Sequence, residues 1–233
     1  MKRALDLSLA IVGLIVFAPL LLAISAAIWL AMGRPLLFRQ LRGGRGGGKF
    51  ELLKFRTMRV GPGSDQARLT LLGSWLRISS LDELPELWNV VRGEMSLVGP
   101  RPLLAEYLEF YSDRQKRRHN LRPGITGLAQ VEGRNMLTWD ARFEKDLFYV
   151  DNHSFGLDLR ILCRTVLAVL TAPGSPAVQD TAFGPAWPIA VANFQPMDGY
   201  GESTASSSRV AGVRRTRVAG LADARPTGIR KTY

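Results

Sequence analysis

One long apolar stretch, residues 4–32, constrains the fold of this chain more than any other feature. As a straight helix it would be about 44 Å long, whereas the hydrocarbon core of a bilayer is about 30 Å thick. Pro19 lies near its midpoint, where a proline removes a backbone donor and clashes with the preceding turn. The stretch therefore predicts a membrane-inserted helix that bends at Ala18 and Pro19.

Basic side chains flank the apolar stretch on both sides. Two precede it and five follow it: Lys2, Arg3, Arg34, Arg39, Arg42, Arg45 and Lys49. A single crossing would place one basic flank outside the cell, against the positive-inside rule. A re-entrant helical hairpin over residues 1–33, with arms of about 21 Å, keeps both flanks at the cytoplasmic face. The alternatives are a single tilted crossing and a cleaved signal peptide, whose apolar core would be shorter than this one.

The composition restricts the classes of partner. The chain carries a formal net charge of +11 over 233 residues, which indicates nucleic acid, anionic lipid or phosphorylated substrates as partners. Nucleic acid is disfavoured, because the aromatic residues do not alternate with the basic ones as on a base-stacking surface. One cysteine and two histidines exclude a disulfide framework and argue against a zinc site.

The candidate active site is the segment of residues 77–102. It contains two adjacent carboxylates, Asp82 and Glu83, between two arginines, Arg77 and Arg101. A carboxylate can attack phosphorus or hold a metal ion, and guanidinium groups bind phosphate oxygens. The pattern therefore indicates phosphoryl chemistry.

A purely structural interpretation of the same carboxylates stays open. Ser80 and Glu83 have the spacing of a helix capping box, with Ser80 as N-cap. Pro85 fits that helix poorly and is better placed at the start of a helix Pro85–Arg92 that Gly93 closes. Either placement puts both carboxylates at or just before a helix N-terminus.

The remaining periodicity predicts a mixed set of short elements. Residues 50–58 indicate an extended segment with Lys54 and Arg56 on one face, either a pair for a diphosphate or a solvated strand edge. A basic amphipathic helix is predicted over residues 103–119, either at the membrane surface or with a solvated C-terminus. Further helices are predicted over residues 69–78, 140–149 and 158–170. From residue 171 to residue 233 the composition predicts a poorly ordered basic tail.

Several stretches resemble a known family. They are RPLLFRQ, KFRTM, LRISSLDELPELWNVVRGEMSLVGPRPL, RPGITGLAQVEGRN and LFYVDNHSFGLDLRIL. They are similar to the bacterial sugar transferases that act as monotopic polyprenyl-phosphate phosphoglycosyl transferases and initiate exopolysaccharide, capsule, O-antigen or glycoprotein glycans. The resemblance implies an α/β fold: a small mixed α/β catalytic domain over residues 34–170, with a re-entrant membrane helix and interfacial amphipathic helices.

The resemblance also implies a reaction and a location. A sugar-1-phosphate passes from a UDP-sugar to undecaprenyl (polyprenyl) phosphate, with release of UMP and with Mg²⁺ as cofactor. The expected location is the cytoplasmic face of the bacterial inner membrane. The expected partners are the sugar donor, the lipid acceptor and membrane lipid, without nucleic acid, and a homo-oligomer is left open.

The family's functional residues fall on named positions of this chain. Its Asp-Glu pair corresponds to Asp82 and Glu83, where Asp82 would form a covalent aspartyl phospho-sugar and Glu83 would hold Mg²⁺. The expected phosphate-binding residues are Arg77, Arg101, Lys54, Arg56 and Arg122. Asp158 is a second expected metal ligand.

The sequence also leaves two alternative functions open. A non-catalytic membrane-tethered scaffold that binds anionic lipid or nucleic acid would explain the charge and the apolar stretch, but not the carboxylates among arginines. An enzyme that moves the sugar alone would release UDP instead of UMP.

Overall fold

The computed structural model describes residues 1–133 and 137–171. The predicted tail lies outside the described residues except for Thr171, the last residue of the final helix. The helices and strands are α1 (Lys2–Val16), α2 (Ala18–Met32), β1 (Leu37–Gly43), β2 (Lys49–Phe55), α3 (Asp65–Arg68), α4 (Leu71–Ile78), α5 (Glu86–Arg92), β3 (Ser96–Val98), α6 (Asp113–Lys116), β4 (Gly124–Thr126), α7 (Leu128–Val131), α8 (Trp139–Asn152) and α9 (Phe155–Thr171). This arrangement confirms the mixed α/β class.

The apolar stretch forms two helices instead of one. α1 and α2 meet at Phe17 with a bend of 60°, and Pro19 lies in the first turn of α2, where its missing N–H breaks no helical hydrogen bond. Each arm has 15 residues, or about 22 Å. Within the described chain no single helix is long and apolar enough to cross a membrane, although this bent pair meets that test together. A bend is confirmed, but it lies at Phe17, directly before the predicted Ala18 and Pro19. Insertion into a membrane stays a prediction.

The first turn of α1 is fixed to the rest of the domain by polar contacts. Lys2 Nζ lies 2.6 Å from Asp158 Oδ2. Arg3 donates to the carbonyl oxygens of Val90 and Val91 at the C-terminal end of α5, where a cation also complements the helix dipole. Two of the basic residues that flank the apolar stretch therefore bind protein groups.

The strands of the described residues form two small sheets. β1 and β2 pair antiparallel with Leu37 opposite Phe55, and β3 and β4 pair parallel with Ser96 opposite Gly124. The hairpin helices contribute to the core beside these sheets: Ala10 of α1 packs in a cluster with Phe50 and Val90, and Ile28 of α2 packs with Phe55 and Leu76. Asn89 is fully buried and joins α5 to β2, because its side chain accepts from Leu53 N and donates to Glu51 O.

The prediction of one amphipathic helix over residues 103–119 is wrong. The chain instead forms a 3-10 turn over Ala105–Glu109 and then α6. Ser112 starts α6 in a capping box with Gln115, which ends the preceding turn. Three basic residues of this segment bind α8: Arg114 pairs with Glu144, Arg117 with Asp151, and Arg118 with Asp146. Lys116 pairs with Asp113 within α6. They are therefore engaged with protein groups and do not form a free basic face.

The other predicted helices are present as α4, α5, α8 and α9, with small shifts of their ends. α9 buries Asp158 and Ile161 and exposes apolar side chains, among them Phe155, Leu159 and Val166. Such an amphipathic helix is compatible with the predicted interfacial position.

Candidate active site

The two adjacent carboxylates lie in a strained turn between α4 and α5. Leu81–Glu83 form a 3-10 turn, and Ser80 before it has a left-handed backbone with φ 57°. Because Ser80 makes no side-chain cap bond, the capping-box interpretation is wrong. A non-glycine residue in this conformation costs about 1–2 kcal/mol, and such strain is concentrated at functional sites. The helix that follows begins at Glu86 after Pro85 and ends at Gly93 with φ 84°, much as predicted.

Glu83 is held by two cations. Lys54 Nζ lies 2.7 Å from Glu83 Oε1, and Arg101 Nη2 lies 3.2 Å from the same oxygen. Burial raises the pKa of Glu83, but Lys54 and Arg101 together outweigh burial and lower that pKa to about 2. Glu83 is therefore a fixed anion at neutral pH.

Asp82 has a different environment. It is 8% exposed, and no side chain or backbone amide among the described residues donates a hydrogen bond to its carboxylate. Burial and the neighbouring charge of Glu83 raise the pKa of Asp82 to about 6, against the opposing effect of Lys54, Arg77 and Arg101. At neutral pH Asp82 is thus ionised but poorly solvated, which suits a nucleophile.

Arg77 is placed by a close approach of two segments. A Cβ on Gly73 would lie 1.9 Å from the carbonyl oxygen of Thr57, so only glycine allows α4 to pack against the residues after β2. Arg77, one turn later on α4, then donates from Nε to Thr57 Oγ1 at 3.0 Å. Its positive charge lowers the pKa of Asp82, which indicates that the guanidinium lies near that carboxylate.

Glu86 is a member of this cluster that the sequence reasoning missed. It is 3% exposed, and its Oε1 lies 3.4 Å from Lys54 Nζ. Burial raises its pKa to about 8 despite Lys54, and Glu83 adds to the rise. Glu86 therefore holds a proton at neutral pH. The available signal was its position three residues after Glu83, a spacing that places two helical side chains on one side.

Comparison with known proteins decides the family of this chain. A family model described as "Bacterial sugar transferase" matches residues 1–172. The chain belongs to the bacterial sugar transferases. EpsL of Bacillus subtilis (strain 168), an uncharacterised sugar transferase, is 49% identical over 180 residues, which cover 75% of this chain and 89% of EpsL.

Two further relatives have more specific names. The UDP-glucose:undecaprenyl-phosphate glucose-1-phosphate transferase of Caulobacter vibrioides is 45% identical over 186 residues, which cover 73% of this chain and 70% of the relative. The exopolysaccharide production protein ExoY of Sinorhizobium fredii is 38% identical over 197 residues, covering 75% and 87%. The chain is therefore an enzyme, a phosphoglycosyl transferase of the kind found in exopolysaccharide production.

The structure of this sugar transferase brings together most of the predicted site residues. One cluster contains Glu83 with its two ion-pair partners, Lys54 and Arg101. Asp82 belongs to it because the charges of Glu83, Lys54, Arg77 and Arg101 all act on its carboxylate. Arg56 lies apart from the cluster, because its Nη2 donates to the carbonyl oxygens of Met32 and Gly33 at the end of α2. Lys54 and Arg56 therefore bind different protein groups, and a joint role of the two in binding a diphosphate stays a prediction.

Two other predicted residues also lie elsewhere in the sugar transferase. Arg122 donates from Nε to the carbonyl oxygen of Gly93, 2.8 Å away, at the end of α5. Asp158 accepts from the Tyr149 hydroxyl at 2.6 Å and pairs with Lys2. In the structure these two residues hold helix ends in place, and binding of phosphate or metal by them stays a prediction without geometric support.

The carboxylates fit a magnesium ion only if it is shared with a substrate. Within residues 1–133 and 137–171 no cluster of three or more acidic, histidine or cysteine side chains could hold a metal ion. Mg²⁺ is commonly bound by one or two carboxylates together with substrate phosphates. Both cation contacts of Glu83 use Oε1, so its second oxygen fits such a shared site.

Proposed function

We propose that this enzyme transfers a sugar-1-phosphate from a UDP-sugar to undecaprenyl phosphate and releases UMP, with Asp82 as nucleophile. The observation that carries the proposal is the contrast between the two adjacent carboxylates. Glu83 is bound by Lys54 and Arg101, whereas Asp82 is buried and accepts no hydrogen bond from the described residues. The names of relatives such as that of Caulobacter vibrioides support the class of donor and acceptor.

In the first half-reaction a carboxylate oxygen of Asp82 attacks the β-phosphorus of the UDP-sugar. A bond forms between this oxygen and phosphorus, and the bond from phosphorus to the bridging oxygen breaks. UMP leaves with that electron pair, and the sugar phosphate stays on Asp82 as an acyl phosphate. The raised pKa of Asp82, about 6, leaves its carboxylate ionised at pH 7.

In the second half-reaction a phosphate oxygen of undecaprenyl phosphate attacks the same phosphorus. The bond to Asp82 breaks, the free carboxylate is restored, and the lipid leaves as a diphosphate-linked sugar. Splitting the transfer in this way lets one site serve a water-soluble donor and a membrane-bound acceptor in turn.

The cations around Asp82 stabilise the charge of the transferred phosphoryl group. Arg101 and Arg77 would bind its equatorial oxygens, since guanidinium groups bind phosphate through charge-assisted hydrogen bonds. Lys54 contributes a further positive charge and is held between Glu83 and Glu86. Glu83 is the residue that would hold Mg²⁺, which when bound offsets charge on the donor diphosphate.

The identity of the nucleotide product tests the proposed reaction. With a UDP-sugar, Mg²⁺ and undecaprenyl phosphate, we expect the full-length enzyme in detergent to form UMP in proportion to lipid-linked product. UDP as the product would mean that the sugar alone is transferred. No nucleotide release with any of a panel of UDP-sugars would favour the non-catalytic scaffold.

We also propose that α1 and α2 form a re-entrant hairpin that holds the site at the cytoplasmic face of the inner membrane. The 60° bend at Phe17 and the exposed apolar side chains of both arms support it. In a Cys163→Ser background, the variants Ala4→Cys and Arg34→Cys each place one thiol near an end of the hairpin. A membrane-impermeant maleimide added to intact spheroplasts should label neither, and labelling of one alone would establish a single crossing.

A further inference from the structure

The loop that carries Arg101 is held through its backbone carbonyls. Pro100 and Pro102 have no N–H, so this loop cannot form a regular strand ladder. Each carbonyl from residue 100 to residue 103 nevertheless accepts a hydrogen bond from a distant segment. The four bonds are Gly124 N to Pro100 O at 3.0 Å, Arg118 Nη2 to Arg101 O at 2.7 Å, Arg42 Nη1 to Pro102 O at 3.2 Å, and Gly43 N to Leu103 O at 2.9 Å.

Arg118 is the donor that acts on Arg101 itself. Its side chain is 3% exposed, and the same Nη2 lies 2.6 Å from Asp146 Oδ2. Its guanidinium lies 5.9 Å and 5.4 Å from the ring centroids of Tyr111 and Phe143. A buried cation between aromatic rings, balanced by one carboxylate, has little freedom to move.

The contacts join three parts of the domain at one point. Asp146 belongs to α8, Arg118 follows α6, and the Arg101 carbonyl lies in the loop after β3. The side chain of Arg101 extends from this fixed backbone to Glu83, 3.2 Å away. An error of about 1 Å in the position of a group that binds a reacting phosphate is enough to lower the rate about 100-fold.

We propose that Arg118, held by Asp146, is a positioning residue that fixes the backbone of Arg101 so that its guanidinium meets Glu83 and the donor phosphate. This inference rests on the proposed function for the role of Arg101. In this role Arg118 makes no contact with substrate. The role explains why the Arg118 guanidinium is buried although it does not contact Asp82 or Glu83.

The variant Arg118→Lys tests the proposal. Arg118 also donates from Nη1 to the Tyr111 hydroxyl at 3.3 Å. Lysine keeps the charge for Asp146 but lacks the planar fork that reaches the carboxylate, this hydroxyl and the Arg101 carbonyl together. We expect kcat/KM to fall about 10- to 100-fold, and hydrogen exchange at the amides of Gly43 and Gly124 to become at least about 10-fold faster. Arg117→Lys is the matched control, because its neighbouring ion pair with Asp151 is exposed, and it should match the wild type in both measurements.

A double-mutant cycle with Arg101→Ala separates positioning from a general structural role. If Arg118 acts through Arg101, Arg118→Lys should lower activity less than about 2-fold further in the Arg101→Ala background. Full additivity of the two losses, or unchanged exchange at Gly43 and Gly124, would overturn the proposal. If Arg101→Ala is fully active, the role of Arg101 in the proposed function is wrong, while the exchange data still decide whether Arg118 fixes the loop.

A second variant tests the same proposal if Arg118→Lys does not fold. Asp146→Asn keeps the shape of the partner but removes the charge that holds Arg118, so we expect the same faster exchange and a smaller loss of kcat/KM. Wild-type exchange in Asp146→Asn would contradict the proposed dependence on Asp146.

Discussion

Replacing Asp82 with asparagine should lower the rate of sugar-phosphate transfer by at least about 10³-fold, because an amide cannot attack phosphorus and losses of this size follow removal of a nucleophile. Binding to membranes should be unchanged, since Asp82 lies outside the two hairpin helices. The rate is measured as UMP release in the presence of undecaprenyl phosphate.

Mass spectrometry measures the covalent step directly. Enzyme incubated with UDP-sugar and Mg²⁺ but without lipid should gain the mass of one sugar phosphate on the peptide that contains Asp82, and Asp82→Asn should gain none. Asp113→Asn is the matched control, because that carboxylate is exposed and, among the described residues, forms an ion pair only with Lys116, so it should keep both activity and adduct. An active Asp82→Asn enzyme, or a wild-type adduct on another residue, would contradict the covalent route through Asp82.

The sequence predicted the centre of this site well because its members are close together along the chain. Asp82 and Glu83 are adjacent, and Arg77 and Arg101 flank them in one segment. The helix after the pair was predictable from Pro85 and Gly93, whose backbone preferences fix a start and an end. The local sequence was therefore sufficient to predict that these residues lie together.

The errors arise where a long-range partner decides the conformation. Arg56 is two residues after Lys54, but β2 ends at Phe55, and Arg56 binds the end of α2 whereas Lys54 binds Glu83. Arg118 looked like part of an exposed basic helix end, whereas Asp146, 28 residues away, holds it in the interior. Neither partner could be identified from helical or strand periodicity alone.

The capping-box interpretation failed for a different reason. The spacing of Ser80 and Glu83 fits a helix start, but the Glu83 carboxylate binds Lys54 and Arg101 instead. Ser80 then takes up a left-handed conformation. The ion pairs of the site therefore outweigh the local preference, which is a pattern typical of functional residues.

Replacing Lys54 with methionine should have the second largest effect, because this buried ammonium group pairs with the ionised Glu83 carboxylate and also contacts the neutral Glu86 side chain. Its Nζ lies 2.7 Å from Glu83 and 3.4 Å from Glu86. We expect kcat/KM at pH 7 to fall about 100-fold, as for loss of one group that stabilises the transition state. The folded state should lose on the order of 2 kcal/mol, less than for most broken buried ion pairs because Arg101 still binds Glu83. Lys49→Met, an exposed change on the same strand, is the control and should be neutral.

The pH profile distinguishes the loss of Lys54 from simple destabilisation. Asp82 must be ionised to attack, so activity should rise with pH through the pKa of Asp82, about 6 in the wild type. Because Lys54 lowers this pKa, Lys54→Met should move the acidic limb of the profile to higher pH and recover part of its activity there. An acidic limb at the wild-type position would show that Lys54 does not act on Asp82.

Unlike Lys54→Met, the variant Glu86→Gln in the same cluster should leave activity nearly unchanged. The pKa of Glu86 is raised to about 8 in the folded protein, so the side chain is neutral at pH 7 and an amide should preserve activity within about 3-fold.

A raised pKa of Glu86 means that the folded protein binds more protons than the unfolded chain between about pH 4.5 and pH 8, so wild-type stability falls as pH rises through that range. Glu86→Gln removes this dependence and should raise the melting temperature at pH 8 more than at pH 5. Lys54→Met removes the cation and should lower the melting temperature at pH 8, whereas Glu86→Gln keeps the cation and should raise it. Such opposite shifts would show that the charge of Lys54 stabilises the folded cluster.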